Sequence, residues 1–245
     1  MWYVIIIVKR TVRFVIKVIF FDIDNTLLDF DESVRYIMRS GCEKFGLGKY
    51  SEEMFSVFLE INGRLWRQIE NGSLTLPELE KIRWNMIFER LGIDFDGIEF
   101  EKYFREVLFD SAVKIEGADE ALSYLSGKYV LCAASNGPEA QQRNRLGKSG
   151  LLGYFKAVYV SEGVGAEKPS GEFFSYCIAD IGTRIGERIS PDEIMMVGDS
   201  LNSDVRGAID SGLKACYFDR SDIFRNENYP EVPVIYSLIS IKDFL

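Results

Sequence analysis

From Val15 onward the chain alternates short apolar runs with amphipathic stretches. The run Val18-Ile-Phe-Phe21 is continuously apolar and ends abruptly in Asp22-Ile-Asp24-Asn25-Thr26, as expected for a strand covered on both faces of a parallel sheet. Similar runs predict strands over 129–134, 157–160, 194–197, 214–218 and 233–236. Helical patterns lie between them, over 118–125, 139–149, 172–181 and 203–211. Strands and helices alternating at this spacing predict right-handed βαβ crossovers, hence an α/β fold with a doubly wound parallel sheet.

The segment 32–111 breaks this rhythm. Its apolar positions recur at helical spacing (Val34, Ile37, Met38; Phe55, Phe58, Leu59; Leu79, Ile82, Met86, Ile87; Phe100, Phe104, Leu108), and it is interrupted at Gly46-Leu-Gly48, Asn71-Gly72 and Leu91-Gly92. This predicts an all-helical domain, 32–111, inserted into an α/β core formed by 15–31 and 112–245, with 1–14 as an N-terminal extension carrying an extra strand. Met1-Trp-Tyr-Val-Ile-Ile-Ile-Val8 is too short to span a bilayer, and its positive charges, Lys9-Arg10, follow the apolar run, whereas a secretory signal carries them first. The expectation is a cytoplasmic protein with no membrane partner; monomer and homodimer both fit the sequence.

Composition narrows the chemistry. A net charge of −9 argues against a nucleic-acid polymer as partner. The four cysteines, Cys42, Cys132, Cys177 and Cys216, form no CxxC pair and read as buried free thiols. The chain has no histidine, which removes Ser-His-Asp and Cys-His catalysis and histidine-ligated zinc together. Acid–base work must come from carboxylates, lysines, tyrosines or cysteines.

Four short motifs stand at the carboxyl ends of predicted strands, where open α/β sheets bind ligands. The first holds Asp22 and Asp24, two like charges that need a cation or proton between them. The second is Ser135-Asn136-Gly137, a hydroxyl and exposed amides before a helix; alone it reads as a capped turn. The third is Lys168-Pro169, with Pro169 expected in the first turn of the next helix and Lys168 extended; alone, Lys168 reads as a surface charge. The fourth is Gly198-Asp199-Ser-Leu-Asn-Ser-Asp204, where Gly198 permits close backbone approach. Together they assemble carboxylates, a hydroxyl and a lysine in one crevice. Oxygen donors without histidine or cysteine select Mg²⁺, and the lysine, hydroxyl and amides suit one phosphoryl group. Calcium binding of the EF-hand kind lacks the required glycine and later glutamate.

These residues, Asp22-x-Asp24-x-Thr26, Ser135-Asn-Gly, Lys168-Pro and Gly198-Asp199-x4-Asp204, resemble the four motifs of the haloacid dehalogenase superfamily, with the helical insert placed as in members that carry a helical cap. Leu65-Trp66, Glu70-Asn71-Gly72 and Ser161 to Pro169 are similar to nucleoside 5'-monophosphatases of the pyrimidine type. The resemblance implies a central first strand and a Mg²⁺-dependent phosphatase acting on a small-molecule phosphate ester. In it, Asp22 would be the nucleophile and Asp24 the acid–base, with Asp22, the Asp24 carbonyl, Asp199 and Asp204 around the metal. Ser135, Asn136, Gly137 and Lys168 would bind the phosphoryl group, Lys168 also offsetting the charge of Asp22. Trp66 and Arg83 of the insert would contact the rest of the substrate, and Phe30 lies near the hinge. Phosphatases acting on sugar phosphates, phosphoglycolate or sialic acid phosphate share much of this wording. A 2-haloacid dehalogenase would have no use for Asp24, and a non-catalytic phosphate-binding relative would lack one of the acids.

Overall fold

The computed structural model describes residues 15–220, 229–243 and 245; the extra strand expected within 1–14 lies outside them. Among the described residues, six strands form one parallel sheet in the order β3-β2-β1-β4-β5-β6, with β1 Val18–Phe21, β2 Val130–Ser135, β3 Ala157–Val160, β4 Ile194–Gly198, β5 Lys214–Phe218 and β6 Val234–Ile235. The predicted strands are present within a residue or two at each end. β1 is central, paired with β2 and β4 so that Phe21 stands beside Ala133 on one side and Val197 on the other. The polar residues that follow these strands therefore emerge side by side along one edge.

Apolar side chains cover both faces of the sheet. Ile19, Phe21, Leu131 and Val197 pack with α5 (Ala118–Ser126), while Phe20, Cys132 and Met196 pack with α8 (Gly171–Ile185). Burying Val18 to Phe21 completely is what a continuous apolar run calls for; each such side chain contributes roughly 1.5–3 kcal/mol relative to exposure.

Between β1 and α5 stand four helices, α1 (Phe30–Phe45), α2 (Glu52–Glu70), α3 (Leu76–Leu91) and α4 (Gly97–Asp110). They share their own core, built on Phe58, Trp84, Phe88, Phe100 and Phe104. Their limits follow local chemistry. Asp29 caps α1 by accepting from Glu32 N, Thr75 and Glu78 form a reciprocal cap on α3, and Gly46 and Gly92 end α1 and α3 with φ of 66° and 67°. Two segments join this layer to the sheet and pair with each other, through Asp29 N to Val113 O (2.8 Å) and Ile115 N to Leu27 O (2.9 Å). The Ser33 and Ser111 hydroxyls meet 2.6 Å apart at the same crossing.

Two local expectations change. Pro169 lies ahead of α8 and not in its first turn, because Ser170 takes the cap and accepts from Phe173 N. The helix expected from 203 begins earlier, as a wide π turn over Leu201–Arg206 running into α9 (Gly207–Asp210), because Ser200 caps it by accepting from Ser203 N. Among the described residues no helix is long and apolar enough to cross a membrane.

Candidate active site

Asp22 follows β1 directly, and Lys168 follows β3 after the short helix α7 (Ser161–Val164) and a loop. The lysine ammonium is completely enclosed and meets three acceptors, Asp22 Oδ1 at 2.7 Å, Asp204 Oδ1 at 2.6 Å and the Ala134 carbonyl of β2 at 2.8 Å. An ammonium has three N–H groups, so the cation is fully satisfied. Burial acts to lower its pKa, yet the charges of Asp204 and Asp22 outweigh this and hold it above the ordinary lysine value.

The backbone of Lys168 is fixed by Asn136. That amide donates from Nδ2 to Lys168 O and accepts at Oδ1 from Lys168 N, both at 2.8 Å. Asn136 was expected at the phosphoryl group; its polar atoms instead hold the segment that delivers the lysine. Ser135 is buried and its Oγ accepts from Gly137 N (3.2 Å) and Gln142 Nε2 (2.8 Å). Gly137 has no room for a side chain, since a Cβ there would lie 2.5 Å from Gln142.

Asp199 and Asp204 come from the turn after β4. Carboxylate oxygens of Asp22, Asp199 and Asp204 all lie within 4.8 Å of one another. A Cβ on Gly198 would stand 2.2 Å from Asp204, so the close approach expected of this glycine is real. Thr26 ties the first and fourth motifs together, accepting from Asp199 N at 3.1 Å. Three acids around one lysine leave excess negative charge. Burial, opposed by Lys168, pushes Asp22 up to about 7; burial and the charges of Asp22 and Asp204 push Asp199 well above the carboxylate range. A cluster so strained electrostatically, composed only of hard oxygen donors, fits a divalent cation of the Mg²⁺ kind.

The Asp24 carboxylate is not part of this group. It turns toward α6 (Glu139–Lys148), where Arg145 Nη1 pairs with Oδ1 and Gln142 Nε2 donates to Oδ2 at 2.7 Å. Neither Arg145 nor Gln142 was expected at the site. One signal was available: the segment 139–149 carries almost no apolar stripe, so a helix packed on a sheet there must bury polar groups.

Trp66 and Arg83 separate. Trp66 is half-buried and lines a cavity of about 570 Å³ between the helical layer and the sheet, with Thr75, Arg105, Asn136, Gly137 and Glu162. Arg83 does not line this cavity. It is buried within the helical layer, forked onto Glu101 at 3.1 and 2.6 Å, bonded to Asn62 Oδ1 at 2.9 Å, and stacked 4.5 Å over Phe104. A guanidinium without water needs a carboxylate beside it, and Glu101 takes that place. Phe30 begins α1 and packs on Phe58 with ring centroids 6.2 Å apart. Glu70 closes the far side of the site, accepting from Asn202 Nδ2 at 2.5 Å; burial raises its pKa, opposed by that hydrogen bond. The four cysteines are buried, and burial pushes the Cys132 and Cys216 thiols up to about 12, which suits packing and not nucleophilic chemistry.

A family model described as haloacid dehalogenase-like hydrolase matches residues 16–212. The HAD-hydrolase YfnB of Bacillus subtilis (strain 168) is 29% identical over 227 residues, 93% of each chain. The pyrimidine 5'-nucleotidase PynA of Streptococcus pneumoniae (strain ATCC BAA-255 / R6) is 28% identical over 233 residues, 94% of this chain and 93% of that one. The pyrimidine 5'-nucleotidase YjjG of Escherichia coli (strain K12) is 28% identical over 232 residues, 93% and 96%. The crystal structure of the B. subtilis protein bound to magnesium matches with a TM-score of 0.84 at 28% identity, covering 94% of this chain and 99% of the other.

The buried placement of Arg83 has a measurable consequence. Arg83→Ala strands the Glu101 charge and is expected to cost about 3–5 kcal/mol in denaturant unfolding, whereas Arg83→Met with Glu101→Leu is expected to recover most of it. KM of the folded double variant should match wild type. A large rise in KM there would return Arg83 to the substrate.

Proposed function

Given that the chain belongs to the haloacid dehalogenase-like hydrolase family and is a phosphatase of it, we propose that it hydrolyses a small phosphate monoester, with Mg²⁺, through a phosphorylated Asp22. The observation that carries this is the convergence of Asp22, Asp199 and Asp204 on one another beside the enclosed ammonium of Lys168.

Asp22 Oδ1 is held by Lys168, which leaves Oδ2 to attack phosphorus. The new bond is Oδ2–P and the bond that breaks is P–O to the ester; the departing alkoxide takes a proton from Asp24. In the second half Asp24 takes a proton from water, whose oxygen bonds phosphorus as the acyl phosphate P–O bond breaks and Asp22 is restored. Asp22, Asp199 and Asp204, with the Asp24 carbonyl, are the residues that would hold Mg²⁺, which when bound neutralises charge on the phosphoryl oxygens. Ser135 Oγ stands at the end of β2 to receive one such oxygen. Splitting the displacement in two lets one carboxylate serve as both acid and base, with no need of histidine.

The helical layer, residues 32–111, is proposed as the cap that selects the ester. The cavity lined by Trp66 opens onto the Asn136-Gly137 turn, and a flat aromatic beside a phosphoryl site suits a nucleobase. Two relatives of nearly equal length are pyrimidine 5'-nucleotidases, which favours a nucleoside 5'-monophosphate over a sugar phosphate.

Asp22→Asn is expected to lower turnover of an aryl phosphate by more than about 10³-fold while the protein stays folded by circular dichroism. Wild-type rates in that variant would remove Asp22 as nucleophile. Across a panel of nucleoside monophosphates and sugar phosphates, pyrimidine nucleotides should give the highest kcat/KM.

Binding of Mg²⁺ should raise Tm, and less so in Asp199→Asn. Because the Asp22 carboxyl sits near 7, it must lose a proton to ligate a cation; the rise should therefore grow between pH 5 and pH 8. A rise independent of pH and of Asp199 would place the metal elsewhere.

A further inference from the structure

Among the described residues, Lys168 and Arg145 are the most deeply enclosed cations, and each is paired with one acid of the first motif. Lys168 belongs to the nucleophile Asp22. Arg145 has no part in the mechanism above, yet it touches Asp24, which carries the proton. Burying a guanidinium costs several kcal/mol unless its donors are met. Its contacts are therefore informative.

Three of its nitrogens point three ways. Nη1 pairs with Asp24 Oδ1 and also donates to Gln142 Oε1 at 3.1 Å. Nε donates to the Ser111 carbonyl at 3.1 Å. Nη2 is buried without a hydrogen-bond partner. Arg145 and Gln142 are three apart on α6 and share a face, so the two hold both Asp24 oxygens, with Gln142 Nε2 also reaching Ser135 Oγ. Ser111 is the residue that ends α4, where the chain returns from the helical layer to the sheet, and its hydroxyl meets Ser33 of α1. One rigid guanidinium thus touches the acid–base carboxylate with one arm and the crossing between layer and sheet with another.

We propose that Arg145 is a positioning residue for Asp24, and that through the Ser111 carbonyl it ties the orientation of that carboxylate to the seating of the helical layer. This rests on the aspartyl-phosphate reading, in which Asp24 protonates the leaving group. A guanidinium that met Asp24 with its full fork would hold it rigidly. Here a single arm is used, and the spare Nη2 offers a second donor onto which Asp24 can turn without leaving its partner. Lysine at 145 would carry the charge but has one nitrogen, which can serve Asp24 or Ser111 and not bridge the two planes as arginine does.

The test separates positioning from mere support of the fold. Help to the leaving group matters most for poor leaving groups, so kcat/KM is measured over a series of alkyl and substituted aryl phosphates for wild type, Arg145→Met, Arg145→Lys and Asp24→Asn. In Arg145→Met, alkyl phosphates are expected to lose about 100-fold and activated aryl esters about tenfold or less, which steepens the dependence on leaving-group pKa. Arg145→Lys should fall between, and Arg145→Met added to Asp24→Asn should cost little more than Asp24→Asn alone. Inhibition by orthovanadate, which probes the phosphoryl site, should hardly change. Should Arg145→Met not fold, Arg145→Lys carries the same test, because it keeps both stem and charge. A parallel loss across all leaving groups, with Asp24→Asn showing the steepened slope, overturns the role of Arg145 while sparing the mechanism. An unchanged slope in Asp24→Asn itself overturns the mechanism and this inference with it.

Discussion

A single enclosed ammonium sets the spacing of the candidate active site. Lys168 Nζ has three N–H groups and three acceptors, drawn from the end of β1, from β2 and from the turn after β4. Without that cation, Asp22 and Asp204 would be two carboxylates out of water beside a third, Asp199, an arrangement that costs several kcal/mol per charge. With it, the acids stand close enough to share one further cation. The parallel order β2-β1-β4 makes this possible, since only strands running the same way in neighbouring positions deliver all their carboxyl ends to one edge. Asn136 completes the arrangement by gripping the Lys168 backbone with both ends of its amide.

Legibility in the sequence followed the distance over which each interaction acts. Strand β1 and the helices of the inserted layer were visible because burial on both faces, or on one stripe, leaves a period in the chain. Asp22, Lys168, Asp199 and Asp204 were visible because each follows such a strand. Arg83 reads in the sequence as a substrate contact because nothing near it announces Glu101, which lies a helix away and takes up its charge. The partners of Asp24 were missed for the same reason, amplified by α6. A helix rich in Gln, Arg and Asn reads as solvated, whereas here Gln141, Gln142 and Arg145 face inward. The polar atoms of Asn136 were assigned to a ligand because its use of the Lys168 backbone depends on a loop conformation that no pattern encodes.

The division of labour within the molecule follows from its two kinds of core. The sheet is locked by β-branched, aromatic and sulfur-bearing side chains on both faces and holds the charged groups at fixed spacing. The helical layer has an aromatic core of its own and meets the sheet layer through polar contacts, among them Glu70 with Asn202, Asn144 and Lys148 of α6 with the end of α4, and the paired segments at Asp29 and Val113. Such an arrangement suits a rigid chemical centre and a separately shaped surface for the substrate, of which Trp66 is part.

The proposed chemistry depends above all on Asp22 carrying the phosphoryl group. Rapid acid quenching of the enzyme during turnover, followed by borohydride reduction and peptide mass spectrometry, reads this directly. Phosphoryl-dependent reduction is expected at Asp22, in the peptide containing Val18 to Leu28, and nowhere else. Modification at Asp24, Asp199 or Asp204, or turnover with no trapped acyl phosphate under conditions where its hydrolysis limits the rate, would contradict it.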